Sequence, residues 1–140
     1  MITYGRQSIS DDDISPVVET LRGDWLTQGP IVERFEDAVA EYVGAKYAIS
    51  FSNGTAALHG AVVAARIGAE DHVVTSPLTF MASANAARYV GATPELVDIN
   101  PSTLNIDVES VPVDKPVVPV HFAGLPVRLD LLHHGNRVII

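Results

Sequence analysis

The alternation of apolar runs and alanine-rich stretches after residue 45 constrains the fold more than any other feature of the sequence. Short runs rich in β-branched residues predict strands at 46–51, 72–77, 93–99, 116–122 and 137–140. Stretches of helical length lie between them, at 54–68, 79–91 and 126–135. Strands that alternate with helices predict βαβ units and a mostly parallel sheet, and near-continuous apolar strands are typical of a sheet covered on both faces.

Two amphipathic helices are predicted before this region. The first, at 10–23, begins with Ser10 and three aspartates and ends at Gly23, whereas the second, at 31–44, has Gly44 at its end. The predicted fold class is therefore α/β, with a mostly parallel sheet, flanking helices and two preceding helices.

The predicted domain organisation is a single domain over 1–140, with a helical segment at 1–45 and a βαβ core at 46–140. The last apolar run reaches Ile140 without a polar tail. Because open α/β sheets bind ligands beyond the carboxyl ends of their strands, we expect this domain to be incomplete.

Composition excludes several classes of function. The chain has nine Lys and Arg residues and a net charge of -8, so nucleic acid is not an expected partner. It has no cysteine, which excludes a disulfide framework, a thiolate nucleophile and a cysteine-ligated metal, and no metal site is predicted. No apolar run reaches the roughly 18 residues of a membrane span, and there is no secretory leader pattern, so we expect a cytoplasmic protein without a membrane partner.

The turn formed by Ser52, Asn53, Gly54 and Thr55 connects a predicted strand to a predicted helix. Free N–H groups and the positive end of the helix dipole would bind a phosphate there, and an ordinary helix cap would use the same residues. No lysine follows the glycine as in a Walker loop, and the three glycines of a dinucleotide fingerprint are missing. Both interpretations stay open, and an anion bound here would be a compact monophosphate.

Phe80 follows the next predicted strand. Since the carboxyl ends of neighbouring parallel strands lie close together, its ring could face a cofactor whose phosphate is held at Gly54. Packing in the core is the alternative for this side chain.

The motifs "LTQGP", "SNGTAALH", "TSPLTFMASANAA" and "PVVPVHFAGLPVRLD" together resemble the N-terminal part of the DegT/DnrJ-type sugar aminotransferases. These are fold-type I enzymes that depend on pyridoxal 5'-phosphate (PLP). The resemblance covers nearly the whole chain, and it is closest to the branch that aminates the 4-keto group of UDP-linked 4-keto-6-deoxy sugars in pseudaminic acid synthesis. The resemblance implies that Gly54 and Thr55 bind the PLP phosphate and that Phe80 stacks on the pyridine ring.

The same resemblance implies a set of residues that contact the nucleotide-sugar substrate: Tyr4, Asp24, Trp25, Leu26 and Thr27. Ser83 and Asn85 are weaker candidates near the cofactor. His121 is assigned no role, and a histidine satisfied by local contacts is an equal alternative.

The sequence departs from the family at the residues that make PLP reactive. A transaminase needs a Schiff-base lysine and a carboxylate beside the pyridinium nitrogen. Lys46 and Lys115 are the only lysines, and neither stands where the family places that residue. We therefore expect a fragment of an enzyme that transfers an amino group from glutamate to a 4-keto nucleotide sugar, and we expect it not to be catalytic alone.

The alternative to a catalytic fragment is a non-catalytic module that pairs with a full-length aminotransferase subunit. The family forms its sites across a dimer, so a homodimer or such a pairing is the expected assembly. A second departure is the short stretch between Asn105 and Val117, which predicts an abbreviated crossover in place of a helix.

Overall fold

The computed structural model describes residues 5–133 and 137–140, which divide into two compact units at the bond between Ser50 and Phe51. The first unit contains helices α1 (Asp11–Arg22) and α2 (Pro30–Val43). The second contains all the strands that the structure describes.

Both predicted N-terminal helices are present, with the predicted ends. Ser10 and Asp13 form a capping box at α1, in which the Ser10 N–H donates to the Asp13 carboxylate over 2.7 Å. This bond, together with one from the Ser10 hydroxyl, holds the pKa of the Asp13 carboxyl below its usual value. Gly44 caps the C-terminus of α2 and adopts the left-handed conformation, with φ of 69°, that glycine tolerates best.

The predicted strand at 46–51 is absent, and this prediction was wrong. In the described part of the chain these residues make no backbone–backbone hydrogen bond, and the Tyr47 and Ile49 side chains are each 74% exposed. Alternation of apolar residues creates a strand only where a neighbouring strand accepts and donates hydrogen bonds. Instead, the Ser50 N–H donates to the Glu36 carboxylate of α2 over 2.7 Å.

The other predicted strands form a parallel sheet in the second unit. Its strands are β1 (His72–Thr75), β2 (Thr93–Leu96) and β3 (Val117–Val118), in the order β2-β1-β3. The predicted last strand contributes one parallel bridge, between Val117 and Ile139.

Three helices accompany this sheet: α3 (Gly54–Ala64), α4 (Ala82–Tyr89) and α5 (Leu129–Leu132). Helix α3 ends before the predicted stop at Gly68, because Arg66 takes the left-handed conformation and the Ile67 N–H donates to the Val62 carbonyl. The Ile67 side chain, just beyond this end of α3, is buried in the core.

The sheet is covered on both faces, as the sequence predicts. Val73 and Val74 are adjacent in β1 and fully buried, and they belong to two different apolar clusters because successive strand residues point to opposite faces. One cluster contains residues from α3 and α4, and the other contains residues from the stretch after β2 and from α5.

The crossover before β3 contains only a 3₁₀ turn, Val108–Ser110. This confirms the abbreviated loop that the sequence indicated. Among the helices of the described residues, none combines the length and the apolar character that a membrane crossing needs.

Candidate functional site

The N-terminus of α3 is capped in a way that leaves two N–H groups available. Asn53 accepts a hydrogen bond from the Ala56 N–H through Oδ1 over 2.9 Å, and its carbonyl accepts from the Ala57 N–H over 3.1 Å. The N–H groups of Gly54 and Thr55 have no partner among the described residues. The two interpretations of this turn are therefore compatible, since a cap is present and donors for an anion remain.

Gly54 has no structural reason to be glycine within the second unit. Its φ is not in the left-handed region, and a Cβ added to it would meet no heavy atom within 4 Å. The missing side chain instead keeps the approach to the Gly54 and Thr55 N–H groups open. An exposed helix N-terminus with two free donors and an adjacent threonine hydroxyl fits a compact phosphate group.

Phe80 is 78% exposed, so it does not pack in the core of the described residues. It stands in the turn between β1 and α4. The Thr79 and Ser83 hydroxyls lie 2.8 Å apart, and the Ser83 N–H donates to the Phe80 carbonyl over 3.1 Å. These bonds fix the backbone that presents the ring.

Gly54 and Phe80 lie at the same edge of the sheet. Helices α3 and α4 pack side by side, with the His59 and Tyr89 ring centroids 5.3 Å apart. Beyond their C-termini, a Cβ on Gly91 would be 3.5 Å from the Ala69 side chain. Because α4 connects two parallel strands and α3 precedes the first of them, both helices begin at the carboxyl edge, where ligands of α/β sheets bind.

His121 is satisfied locally, in agreement with the alternative noted for it. Its Nδ1 accepts a hydrogen bond from the Val127 N–H over 3.0 Å. Asn85 is half-buried within α4, and Ser83 is 7% exposed.

Asn105 stabilises the turn after β3, and no sequence pattern indicated this role. This buried residue accepts from the Phe122 N–H through Oδ1 over 2.8 Å and donates to the Leu125 carbonyl through Nδ2 over 3.0 Å. Asn105 lies in a polar loop, and its contact with the turn at 122–125 is seen only in the folded structure.

Lys115, the lysine of the second unit, does not lie beside the α3 N-terminus. The Lys115 ammonium precedes β3, at the opposite edge of the sheet, and forms an ion pair with the Glu95 carboxylate. The hydrogen bond from Lys115 is the main reason why the pKa of Glu95 lies below its usual value. The Lys46 Nζ is 5.0 Å from the centroid of the Tyr47 ring.

In the first unit, a groove of about 500 Å³ lies between α1 and α2. Asp24 and Trp25 line it, whereas Leu26 and Thr27 follow in the same exposed loop and are not among its lining residues. Tyr4 lies outside the described residues. The remaining lining residues come from the two helices and the loop between them: Pro16, Glu19, Thr20, Gly23, Pro30, Ile31, Arg34 and Phe35.

Comparison with known proteins gives consistent results. The profile of the DegT/DnrJ/EryC1/StrS aminotransferase family matches residues 7–135. The chain is 46% identical over 105 residues to the spore coat polysaccharide biosynthesis protein SpsC of Bacillus subtilis, covering 75% of this chain and 27% of that protein. It is also 46% identical over 99 residues to the UDP-4-amino-4,6-dideoxy-N-acetyl-beta-L-altrosamine transaminase of Campylobacter jejuni, covering 71% of this chain and 26% of that enzyme.

A similar solved structure is the PLP-form of a Streptococcus pneumoniae protein described as a sugar aminotransferase. The TM-score is 0.84 at 29% identity, and the match covers 94% of this chain and 35% of that one. The chain thus spans about a quarter of these curated relatives and about a third of the solved structure. It belongs to the DegT/DnrJ/EryC1/StrS aminotransferase family and has the fold of the N-terminal part of the fold-type I PLP-dependent enzymes.

Proposed function

We propose that this chain supplies the N-terminal part of the large domain of a PLP-dependent aminotransferase acting on a 4-keto nucleotide sugar, with glutamate as the amino donor. The observation that carries the proposal is the α3 N-terminus, where two N–H groups have no partner in the described part of the chain and the glycine leaves them accessible. The similarity of the chain to the UDP-4-amino-4,6-dideoxy-N-acetyl-beta-L-altrosamine transaminase supports a nucleotide sugar as the substrate.

Three residues of the second unit would hold PLP. The Gly54 and Thr55 N–H groups and the Thr55 hydroxyl would donate to the phosphate, and the Phe80 ring, which is exposed, would stack on the pyridine ring. When bound, PLP supplies an electron sink for the carbon that loses or gains the amino group. The role of these residues is to bind and orient the cofactor at the carboxyl edge of the sheet.

The substrate would use the loop after α1. Trp25, which is 64% exposed, offers an aromatic face for the base or sugar, and Arg34 is a cation in the same groove that could pair with a diphosphate. Asp24 can accept hydrogen bonds from sugar hydroxyls. Leu26 and Thr27 would contribute from the exposed part of the loop, and Tyr4 would contribute from the N-terminal segment.

The 140 residues on their own would bind PLP without turning over substrate. Lys115 contacts the Glu95 carboxylate at the opposite edge of the sheet from α3, so it does not stand beside the proposed phosphate site, where a Schiff-base lysine would be needed. Incubation with PLP, glutamate and a UDP-4-keto-6-deoxy sugar should therefore yield no amino sugar. Measurable turnover, or a borohydride-trapped cofactor on either lysine, would contradict this part of the proposal.

The cofactor site is tested by titrating the chain with PLP and following its absorbance, with inorganic phosphate as competitor. Thr55→Val removes one hydroxyl donor at nearly constant volume, and Thr55→Ser keeps that donor. A hydrogen bond to a charged group contributes about 1.5–3 kcal/mol, so the valine variant should bind about tenfold more weakly or worse, whereas the serine variant should bind almost normally. Equal affinity in all three proteins would exclude the Thr55 hydroxyl as a donor to the phosphate.

The substrate site has a built-in reporter, because Trp25 is the only tryptophan of the chain. Adding UDP should change its fluorescence in a saturable way, and Arg34→Gln should weaken the response. Unchanged fluorescence over millimolar UDP would remove the groove from the proposed site. Binding of a full-length family member without any response to UDP would instead favour the non-catalytic module.

A further inference from the structure

We propose that Gly60 is a positioning residue for the phosphate-binding end of α3, acting through the ring of Phe51. The inference rests on the proposed function and adds to it a residue outside the N-terminal turn. Gly60 leaves room for the Phe51 ring on the surface of α3, and this packing sets the direction in which the chain reaches Ser52–Thr55.

Gly60 is unexpected where it stands. It lies inside α3, where glycine is among the least favourable residues, and its φ is not in the left-handed region. A Cβ at this position would be 2.8 Å from Cε1 and 3.3 Å from Cε2 of Phe51, and closer still to Cζ. The requirement for glycine therefore comes from the ring and not from the backbone.

Phe51 immediately precedes the N-terminal turn of α3. Its ring packs on α3 at Gly60. The next residue that contacts the helix is Asn53, whose Oδ1 accepts a hydrogen bond from the Ala56 N–H over 2.9 Å. Asn53 has an extended backbone, with φ of -169° and ψ of 169°. Phe51 is 46% exposed, so its ring can turn away from an added methyl group. The chain would then reach the turn without the ring packing that fixes its approach to α3, which is how a change at residue 60 would affect Gly54.

Helix α3 is a fixed support for this contact. Val62 is fully buried in the core, and His59, which adjoins Gly60, packs against Tyr89 of α4 with ring centroids 5.3 Å apart. Because α3 is held by these contacts and the Phe51 ring is 46% exposed, we expect the ring, and not the helix, to move away from a new methyl group. The added methyl group should therefore displace the ring packing next to the N-terminal turn and leave α3 and the sheet in place.

The test compares wild-type chain with Gly60→Ala by NMR, using inorganic phosphate as the probe and the Gly54 and Thr55 amide signals as the readout. In the wild type these amides should shift in a saturable way. In Gly60→Ala the apparent dissociation constant should rise about tenfold, because at least one charge-assisted hydrogen bond is misaligned. The thermal midpoint should not fall, since alanine favours the helix that glycine disfavours.

Two further variants keep the result interpretable. Gly68→Ala is a matched control, because a Cβ there would meet nothing within 4 Å, and it should leave phosphate binding unchanged. In the double variant Gly60→Ala with Phe51→Leu, the shorter side chain lacks the ring atoms that clash, and at least half of the lost affinity should return.

The outcomes separate the two proposals. Wild-type amides that ignore phosphate would overturn the phosphate site and the positioning role together. Wild-type amides that respond, combined with a Gly60→Ala variant that binds phosphate normally, would overturn only the role of Gly60. A loss of binding in Gly60→Ala that the Phe51→Leu change does not restore would show that the ring is not the route of the effect, and would also overturn it.

Discussion

Replacing Asn105 by alanine should destabilise the second unit by breaking both bonds that fix the turn after β3. The change removes one of two acceptors of the Phe122 N–H, which also donates to the Val120 carbonyl over 3.1 Å, and it removes the donor to the Leu125 carbonyl. A lost hydrogen bond costs about 0.5–1.5 kcal/mol net, and a backbone group left buried without a partner costs about 1–3 kcal/mol. Leu125 is 48% exposed, so water can replace its bond, and the Phe122 N–H keeps the Val120 carbonyl as acceptor. Neither group is left without a partner, so the expected loss of unfolding free energy is that of two hydrogen bonds, about 1–3 kcal/mol.

The measurement is urea unfolding followed by far-UV circular dichroism. With a urea dependence of about 1–3 kcal/mol per molar, the midpoint for Asn105→Ala should fall by about 1–2 M. Asn100→Ala is the matched control, since Asn100 is exposed and its side chain makes only a local bond to the Ser102 N–H over 2.9 Å. If the two variants have the same midpoint, Asn105 does not stabilise the turn in the way described.

Three other changes test separate features. Leu132→Ala, at a fully buried position, should cost about 2–5 kcal/mol in the same unfolding assay, and a cost under 1 kcal/mol would contradict the packing described. Gly91→Ala should cost about 1–2 kcal/mol because residue 91 has φ of 82°, and an unchanged midpoint would contradict this conformation. The bonds from Ser50 hold the pKa of Glu36 below its usual value, so their stabilisation is present above the unfolded-state pKa and is lost as pH falls through the folded-state pKa. Glu36→Gln should flatten this part of a stability–pH profile, whereas a profile identical to wild type would exclude the contribution.

The parts of the fold that the sequence predicted are those set by local patterns. The capping box at Ser10 and the glycine after α2 depend only on neighbouring residues, and both are where they were expected. The parallel sheet followed from the alternation of apolar strands with helices, because that pattern has few alternative packings. The N-terminus of α3 was also recognisable from a local pattern, the turn Ser52–Thr55.

The features that the sequence did not reveal depend on distant contacts. The stretch 46–51 has the pattern of a strand, but no neighbouring strand pairs with it in the described residues. Asn105 reaches Phe122 and Leu125 across an intervening strand, and no local signal marks that distance. The clash that makes Gly60 necessary likewise appears only once the Phe51 ring has coordinates.

The contacts of the Glu95 carboxylate have a consequence for engineering this fold. His72 opens β1, Glu95 lies in β2 and Lys115 precedes β3, and the Glu95 carboxylate contacts the other two side chains, with 3.4 Å to Nδ1 of His72. These contacts connect all three strands away from the edge where Gly54 and Phe80 lie. The salt tolerance of the domain can therefore be altered by substitutions at one end of the sheet while ligand affinity is optimised independently at the other.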